Sequence, residues 1–493
     1  MRPLSHTARR SDELARFLQI SNPERGFEFT GLTSNTDLID AGDLFIALPG
    51  KKFHGADFAR KAQDRGAVAI LSDAEGIARA KCNLPTIEIS QPRLLLGDIS
   101  SWFYGTPFRA LTAVGITGTN GKTTTASLLN QLWALSGRES GFIGTIGIEI
   151  GKEYYPAQFT TPESSELQAT TAAMVERGVT HLVMEVSSHS IAQKRVTGAF
   201  FKNVAFTNLT QDHLDFHGTM EEYFSTKAKL FTTEFAEQAF INIDSGYGVR
   251  LASMAQLPVH TISRSNTSAT WHYSSVTPTS NGFDVSIRGA AGILIEGHTP
   301  LIGGHNLDNL LLAVALAVDS GIDPLAIASD LEKLQGPSGR LEKVDIGQKF
   351  VALVDYAHTP DAVERVLAAV REVTPGRIIA VLGCGGDRDS SKRPLMGRAL
   401  ADGADLAIFT SDNPRSEKPE AILTDMQSQV EDRNNVIIEV DRRGAIAIAV
   451  AEAEAGDLVI ILGKGHEEGQ EILGVKHPFD DRLELARAIE QLG

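Results

Sequence analysis

The sequence predicts an α/β protein whose sheets are largely parallel and buried. Short apolar runs alternate along the chain with segments of helical period, the pattern of parallel strands joined by helices. Three runs of the last third each end in a glycine-rich or polar cluster, and open parallel sheets bind ligands just beyond the carboxyl ends of their strands. At 493 residues the chain also exceeds a single hydrophobic core, and about three domains is the expectation.

Taken in order, the strand-like runs are "AVAIL" (67–71), "LTAVGIT" (111–117), "HLVMEV" (181–186), "NVAFTNL" (203–209), "FVALVDY" (350–356), "IIAVLG" (378–383), "LAIFTS" (406–411) and "LVIILG" (458–463). Turn-rich joints stand at about 108 ("YGTPFR") and about 337 ("GPSGR"), which divides the chain into 1–108, 109–336 and 337–493. The segment "TTTASLLNQLWALSG" reads as a helix with Leu128, Leu129, Leu132 and Leu135 at helical spacing.

Composition sets limits. With 42% hydrophobic and 22% charged residues the chain reads as a soluble globular protein. Its longest apolar run, "LLLAVALAV" (310–318), is too short to span a bilayer. Arg9 and Arg10 are followed by Asp12 and Glu13 and no apolar stretch, so a secretory leader is not expected. Cys82 and Cys384 make no metal-ligand spacing. A cytoplasmic protein without membrane insertion, acting as a monomer, is the expectation. The net charge of −16 argues against a nucleic-acid partner, so an anionic ligand would rely on local cations and helix N-termini.

"AVGITGTNGKTTTASLL" (113–129) supplies such a place. The usual ATP-loop spacing G-x-x-x-x-G-K-[ST] would want glycine at 116, where this chain has Ile116; glycines instead recur at 115, 118 and 121. A strand, a glycine loop, a lysine and a helix start together form an anion cradle of backbone N–H groups and helix dipole. Gly118, Thr119, Asn120, Gly121, Lys122, Thr123 and Thr124 would hold ATP, with Lys122 on the β/γ-phosphates and the Thr123 hydroxyl on Mg²⁺. The plain alternative is a tight turn with a solvated lysine. Farther on, "GCGGDRD", "TSDNPR" and "GKGHE" end three apolar runs and converge on one ligand site. Arg388 and Arg415 suit carboxylates and Glu467 an ammonium, which points to a zwitterionic ligand.

"TGTNGKTTT" resembles the ATP loop of the Mur ligases, ATP-dependent amide ligases of peptidoglycan synthesis whose relatives include folylpolyglutamate synthetase. Further landmarks follow in family order: "MEVSSH", "TNLTQDHLDFHG", "GGHNLDNLLLA", "SGRLE", "VDYAHTPD", "GCGGDRDSSKRPLMG", "DNPR" and "GKGHE". The resemblance implies an N-terminal UDP-sugar-binding domain, a central P-loop ATPase-like domain with a parallel sheet, and a C-terminal Rossmann-like domain that takes the amino acid. It implies addition of meso-2,6-diaminopimelate to UDP-N-acetylmuramoyl-L-alanyl-D-glutamate through an acyl phosphate, with the third domain closing on the second.

The same resemblance assigns residues. Glu185, a carboxylate at a strand end, would meet Mg²⁺; a surface acid at a strand end is the plainer alternative. His213 would be an imidazole ligand to a second Mg²⁺, although a hydrogen-bonded loop histidine is the plain reading. Lys227 would be carbamylated and hold metal as an anion; on chemistry alone it belongs, with Lys229, to a solvated helix face. Asn306 and Asn309 would hold adenine, or simply cap a helix, and Arg340 and Asp355 would hold the nucleotide across the domain joint. Asp412, Asn413, Pro414 and Arg415 form the motif that selects diaminopimelate, with Arg415 on the distal carboxylate, and Gly463 lies against the amino acid. For the UDP-sugar peptide the assignments are Thr160, Thr161, Ser187, Gln193 and Arg195, with Ser34 and Thr36 near the uridine. The chain departs from the pattern at Asn35-Thr36-Asp37, where many relatives read Asp-Ser-Arg, and at Phe159, where a relative has Asn. The rivals are a lysine-adding or folylpolyglutamate-type ligase and, in another class, a nucleotide-switch ATPase.

Overall fold

The computed structural model describes residues 1–4, 8–50, 52–279 and 282–492. They form two compact units, Met1–His272 with Leu312–Ala326, and Tyr273–Leu311 with Ile327–Gly493.

Besides a short pairing of Arg9–Arg10 with Glu28–Phe29, the first unit contains two larger sheets. The smaller has four parallel strands in chain order, Gly31–Thr33, Asp43–Ile46, Ala69–Ser72 and Thr86–Glu88. Its side chains alternate between two cores, Leu44, Ile46 and Leu71 on one face and Phe45, Ala47 and Ile70 on the other, because successive residues of a strand point to opposite faces. In the larger sheet, Thr112–Thr117 lies between His181–Glu185 and Phe201–Phe206, parallel to both. Ser140–Gly144 extends the sheet on one side and Ala236–Asn242 and Val259–Ser263 on the other, all parallel. The chain thus leaves the central strand in one direction and returns to its other flank, which makes the carboxyl end of Thr112–Thr117 a topological switch point.

The predicted helix spans Lys122–Leu135 and buries Leu128, Leu129 and Leu132. Leu135 departs from the expectation, being 42% exposed in the last turn. Antiparallel strands Gly147–Ile150 and Glu153–Tyr155 close one edge of the sheet; their polar, glycine-broken sequence hides them from a search for apolar runs.

The second unit is built on the sheet order Glu342–Lys343, Val351–Asp355, Leu458–Leu462, Ile378–Cys384, Leu406–Ser411, Val436–Ile438. Only the first strand is antiparallel to its neighbour. Leu353, Ala380, Leu382, Phe409 and Ile460 face one core, and Val354, Ile379, Val381, Ile408 and Ile461 the other. Burial on both faces is why these strands read as unbroken apolar runs. A buried ion pair ties two helices to the sheet: Arg442 of Arg442–Ala451 donates to both oxygens of Asp481, at 2.7 and 2.6 Å, and to the Leu462 carbonyl at 2.9 Å. No helix of the described residues is long and apolar enough to cross a membrane.

Candidate active site

In the first unit the glycine loop leaves the central strand and enters the helix at Gly121, whose φ of +85° a side chain rarely adopts. No side chain caps that helix, and the N-terminus of a helix favours an anion. At Gly118 (φ +151°) a Cβ would stand 1.9 Å from Thr207 Oγ1, so any side chain there would strain the backbone and displace Thr207. Thr207 Oγ1 donates to the Asn120 carbonyl at 2.6 Å, and Asn208 Oδ1 accepts from the Asn120 amide at 3.0 Å. Lys122 Nζ folds over the loop, 3.0 Å from the Gly118 carbonyl and 2.9 Å from that of Thr119.

Glu185 joins this loop to the residues expected to hold the peptide substrate. Fully buried at the end of its strand, it accepts from Thr123 Oγ1 through both oxygens at 3.0 Å. It also accepts from the Thr145 amide at 2.8 Å and the Thr145 hydroxyl at 3.2 Å, and the Thr145 and Thr160 hydroxyls lie 3.0 Å apart. The backbone continues the path: Thr161 Oγ1 donates to the Glu185 carbonyl at 2.9 Å and accepts from the Ser187 amide at 3.1 Å. Ser187 then caps the short helix Ser188–Ala192. Gln193 ends that helix, half-buried.

Arg195 donates to the Thr161 carbonyl at 3.4 Å and lies over the Phe159 ring, 4.7 Å from its centroid. Burial lowers its pKa, and its buried Nε has no hydrogen-bond partner. Phe159, 52% exposed, thus supports the guanidinium through its face, a cation–π contact, while the Glu163 carboxylate stands 3.9 Å from Nε. The other departure is explained by a local cap. Asn35 Oδ1 accepts from the Asp37 amide at 2.9 Å, and Asp37 pairs with Lys61 at 2.8 Å. Ser34 and Thr36 beside them are half-buried.

Lys227 is buried, not on a solvated face. Its Nζ donates to the Gly118 carbonyl at 2.8 Å and lies 4.8 Å from the centre of the Tyr223 ring. Burial, reinforced by the Lys122 charge, pushes its pKa well below the usual range. His213 holds a left-handed backbone (φ +52°) and packs edge-on to His189 at 4.8 Å. The surrounding protein desolvates its ring and lowers its pKa to about 4, against the pull of Asp212, so the imidazole is neutral near pH 7.

No group of three or more His, Cys, Asp or Glu that could hold a metal occurs among the described residues. Mg²⁺ usually takes one or two carboxylates, substrate phosphates and water. The buried Thr123–Glu185 pair and the neutral His213 ring suit it.

In the second unit the three strand-end loops meet. The Gly386 amide donates to the Asn413 carbonyl at 2.9 Å, and a Cβ at Gly386 would stand 2.0 Å from the Pro414 carbonyl oxygen. Lys464, fully buried, donates to Glu467 at 3.0 Å and Asn413 at 3.2 Å and lies 3.4 Å from Asp412. Asn413 Nδ2 also donates to Glu467, at 2.9 Å. Burial alone would raise the Glu467 pKa, but Lys464 and Asn413 outweigh it and the net shift is downward, so the carboxylate stays ionised. Gly463 holds φ +111° with only ordinary contacts around its missing Cβ. Arg415 holds φ +51° and donates to the Gly386 carbonyl at 2.6 Å. Arg388 is exposed on the neighbouring loop.

Asn306 and Asn309 are buried side by side, 3.2 Å apart, and Asn306 donates to the Ile302 carbonyl at 2.8 Å. Asp355 uses both oxygens on backbone amides, those of Leu341 and Ala357, each at 2.8 Å, while Arg340 stacks on Tyr356 at 4.7 Å. These contacts shape the "SGRLE" turn. Sequence reasoning missed Thr145, Asn208 and Lys464; only the last two stood within motifs already singled out, in "TNLT" and "GKGHE".

Three family models match the chain: "Mur ligase family, catalytic domain" over residues 28–104, "Mur ligase middle domain" over 116–317, and "Mur ligase, glutamate ligase domain" over 339–465. The chain is 44% identical to a UDP-N-acetylmuramoyl-L-alanyl-D-glutamate–2,6-diaminopimelate ligase of Streptomyces coelicolor, covering 99% of this chain and 98% of that one. It is 41% identical to the ligase of the same name from Aquifex aeolicus, over 92% of each. A solved structure of a ligase of that name matches 94% of this chain and 95% of its own, with a TM-score of 0.69 and 33% identity. A Mycobacterium tuberculosis folylpolyglutamate synthase shares the fold, with a TM-score of 0.61 at 20% identity, over 76% of this chain and 92% of that one.

Proposed function

Because the chain belongs to the Mur ligase family, we propose that it adds meso-2,6-diaminopimelate to UDP-N-acetylmuramoyl-L-alanyl-D-glutamate, using ATP, in cytoplasmic peptidoglycan precursor synthesis. Its three domains are 1–108 for the UDP-sugar, 109–336 for ATP and 337–493 for the amino acid.

One observation carries the reading: the hydrogen-bonded path from Thr123 through Glu185 to Thr160, Thr161 and Ser187. It makes the phosphate loop and the peptide-holding residues one rigid assembly, which is what transfer of a phosphoryl group to a bound carboxylate needs. In the first step an oxygen of the D-glutamate γ-carboxylate attacks the γ-phosphorus of ATP; the bridging P–O bond breaks and ADP leaves. The diaminopimelate amine then attacks the acyl carbon, loses a proton, and phosphate departs. Lys122 and the uncapped helix N-terminus neutralise charge on the transferring group. Arg195, with Gln193, orients the anionic substrate, while Ser34 and Thr36 stand at its uridine end. Asn306, Asn309, Arg340 and Asp355 shape the nucleotide's surroundings.

Thr123 and Glu185 would hold one Mg²⁺, and His213 with carbamylated Lys227 a second, supplying further charge neutralisation when bound. The buried Lys227 suits that modification: a neutral amine is the form that attacks CO₂, forming an N–C bond and releasing a proton. Asp412, Asn413, Glu467 and Gly463 receive the amino acid, and Arg388 and Arg415 its carboxylates. Phosphate release tests the proposal. It should require the UDP-linked dipeptide and diaminopimelate together, with lysine a poor replacement. Equal turnover with lysine would move the assignment to a lysine-adding ligase, and release without either substrate would indicate a nucleotide switch.

A further inference from the structure

Arg415 is held by an element that no sequence motif marks. The hairpin of Gly469–Ile472 and Val475–Pro478 docks on the loop 412–415 through a continuous set of bonds. Gln470 Nε2 donates to the Asp412 carbonyl at 2.7 Å, and the Glu471 amide donates to Asn413 Oδ1 at 2.9 Å. The Arg415 amide donates to the Glu471 carbonyl at 3.0 Å, and the Leu473 amide to the Arg415 carbonyl at 2.7 Å. These bonds hold Arg415 in a left-handed backbone that a non-glycine residue adopts only at a cost. The Glu471 side chain adds a charge contact, its carboxylate 3.4 Å from Arg415 Nε. With Nη1 on the Gly386 carbonyl, Nη2 is left without a partner among the described residues.

We propose that Glu471 is a second determinant of amino-acid choice, a resident carboxylate that competes with the substrate's distal carboxylate for Arg415. The inference rests on the amino-acid site proposed above. A guanidinium with one edge already neutralised rewards only a ligand that can reach its remaining N–H groups in the plane. The same carboxylate repels a second anion and so works against weakly matched acids. Glu471 side-chain exposure of 44% means that a substitution there removes charge without opening a core.

The test compares KM for diaminopimelate and for lysine in the wild type, Glu471→Gln, Arg415→Ala and the double variant, in the full-length protein with ATP and the UDP-linked dipeptide. Removing the competing charge should lower KM for diaminopimelate about two- to fivefold, the range of a partly exposed ion pair. KM for lysine should not fall, and the gain should vanish in the Arg415→Ala background. Structural damage would raise KM, so a fall is specific to competition. An unchanged or higher KM for diaminopimelate in Glu471→Gln, with a wild type that uses diaminopimelate, overturns this inference alone. A wild type that uses neither amino acid overturns the proposed function and this inference with it.

Discussion

Lys122 and Phe159 illustrate two ways in which single residues prepare a site for anions. Lys122 bends over the carbonyls of Gly118 and Thr119, placing its ammonium at the mouth of the loop without entering a core. Lys122→Ala should therefore reduce turnover by at least about 10²–10³-fold while leaving the thermal midpoint nearly unchanged, as steady-state assays and calorimetry on the same preparation would show. Phe159 acts through the Arg195 guanidinium above it. Phe159→Leu keeps an apolar side chain but removes the ring face, so KM for the UDP-linked dipeptide should rise about two- to fivefold, the equivalent of an exposed cation–π contact. KM for ATP should not change; if both rise together, Phe159 supports the loop and not the arginine. The residues easiest to single out in the sequence are those whose proposed chemistry is local. Phosphate binding needs glycines, a lysine and a threonine at fixed short spacing, and Gly118 to Thr123 offer that spacing. Thr145 and Glu471 had no such signal. Each acquires its role from a partner brought near by the fold, Glu185 for one and Arg415 for the other.

At the scale of elements, the central parallel strands Thr112–Thr117, His181–Glu185, Phe201–Phe206, Val351–Asp355, Ile378–Cys384, Leu406–Ser411 and Leu458–Leu462 were legible because both their faces are buried, which writes each as an unbroken apolar run. The parallel strands Ser140–Gly144, Ala236–Asn242 and Val259–Ser263, broken by glycine or polar residues, were not. The edge strands Gly147–Ile150 and Glu153–Tyr155, and the hairpin beside Arg415, are short and polar, so no periodicity marks them. Nor did the sequence reveal that the "DRR" start of the helix Arg442–Ala451 carries a fully buried arginine. Arg442 joins its helix to Asp481 of Asp481–Glu490 and to the carbonyl of Leu462, the residue before Gly463. Truncating one member of a buried pair leaves the other charge uncompensated. Asp481→Ala should cost about 3–5 kcal/mol in denaturant unfolding, whereas replacing both partners by apolar residues, Arg442→Met with Asp481→Leu, should recover much of that loss. Equal destabilisation by the single and double changes would mean that packing, not charge, sets the cost.

For the whole molecule, a net charge of −16 stands against ligands that are themselves anionic, so binding depends on where the few inward-facing cations lie. Lys122 and Arg195 lie in the first unit and Lys464 and Arg415 in the second. The ordered motifs made the family visible before any coordinates, because their number and order along one chain are specific. They did not reveal how Glu185 joins the glycine loop to the residues proposed to hold the peptide, a connection that exists only in three dimensions. That connection makes the central claim a chemical one: the substrate carboxylate itself takes the phosphoryl group from ATP. The most direct test labels both oxygens of the D-glutamate γ-carboxylate with ¹⁸O and follows the phosphate released during single turnovers with diaminopimelate. Transfer through an acyl phosphate predicts one labelled oxygen in each phosphate and the other retained in the new amide. Unlabelled phosphate, its fourth oxygen taken from solvent, would contradict the account, since ATP would then be hydrolysed by water and the path through Glu185 would not serve acyl transfer.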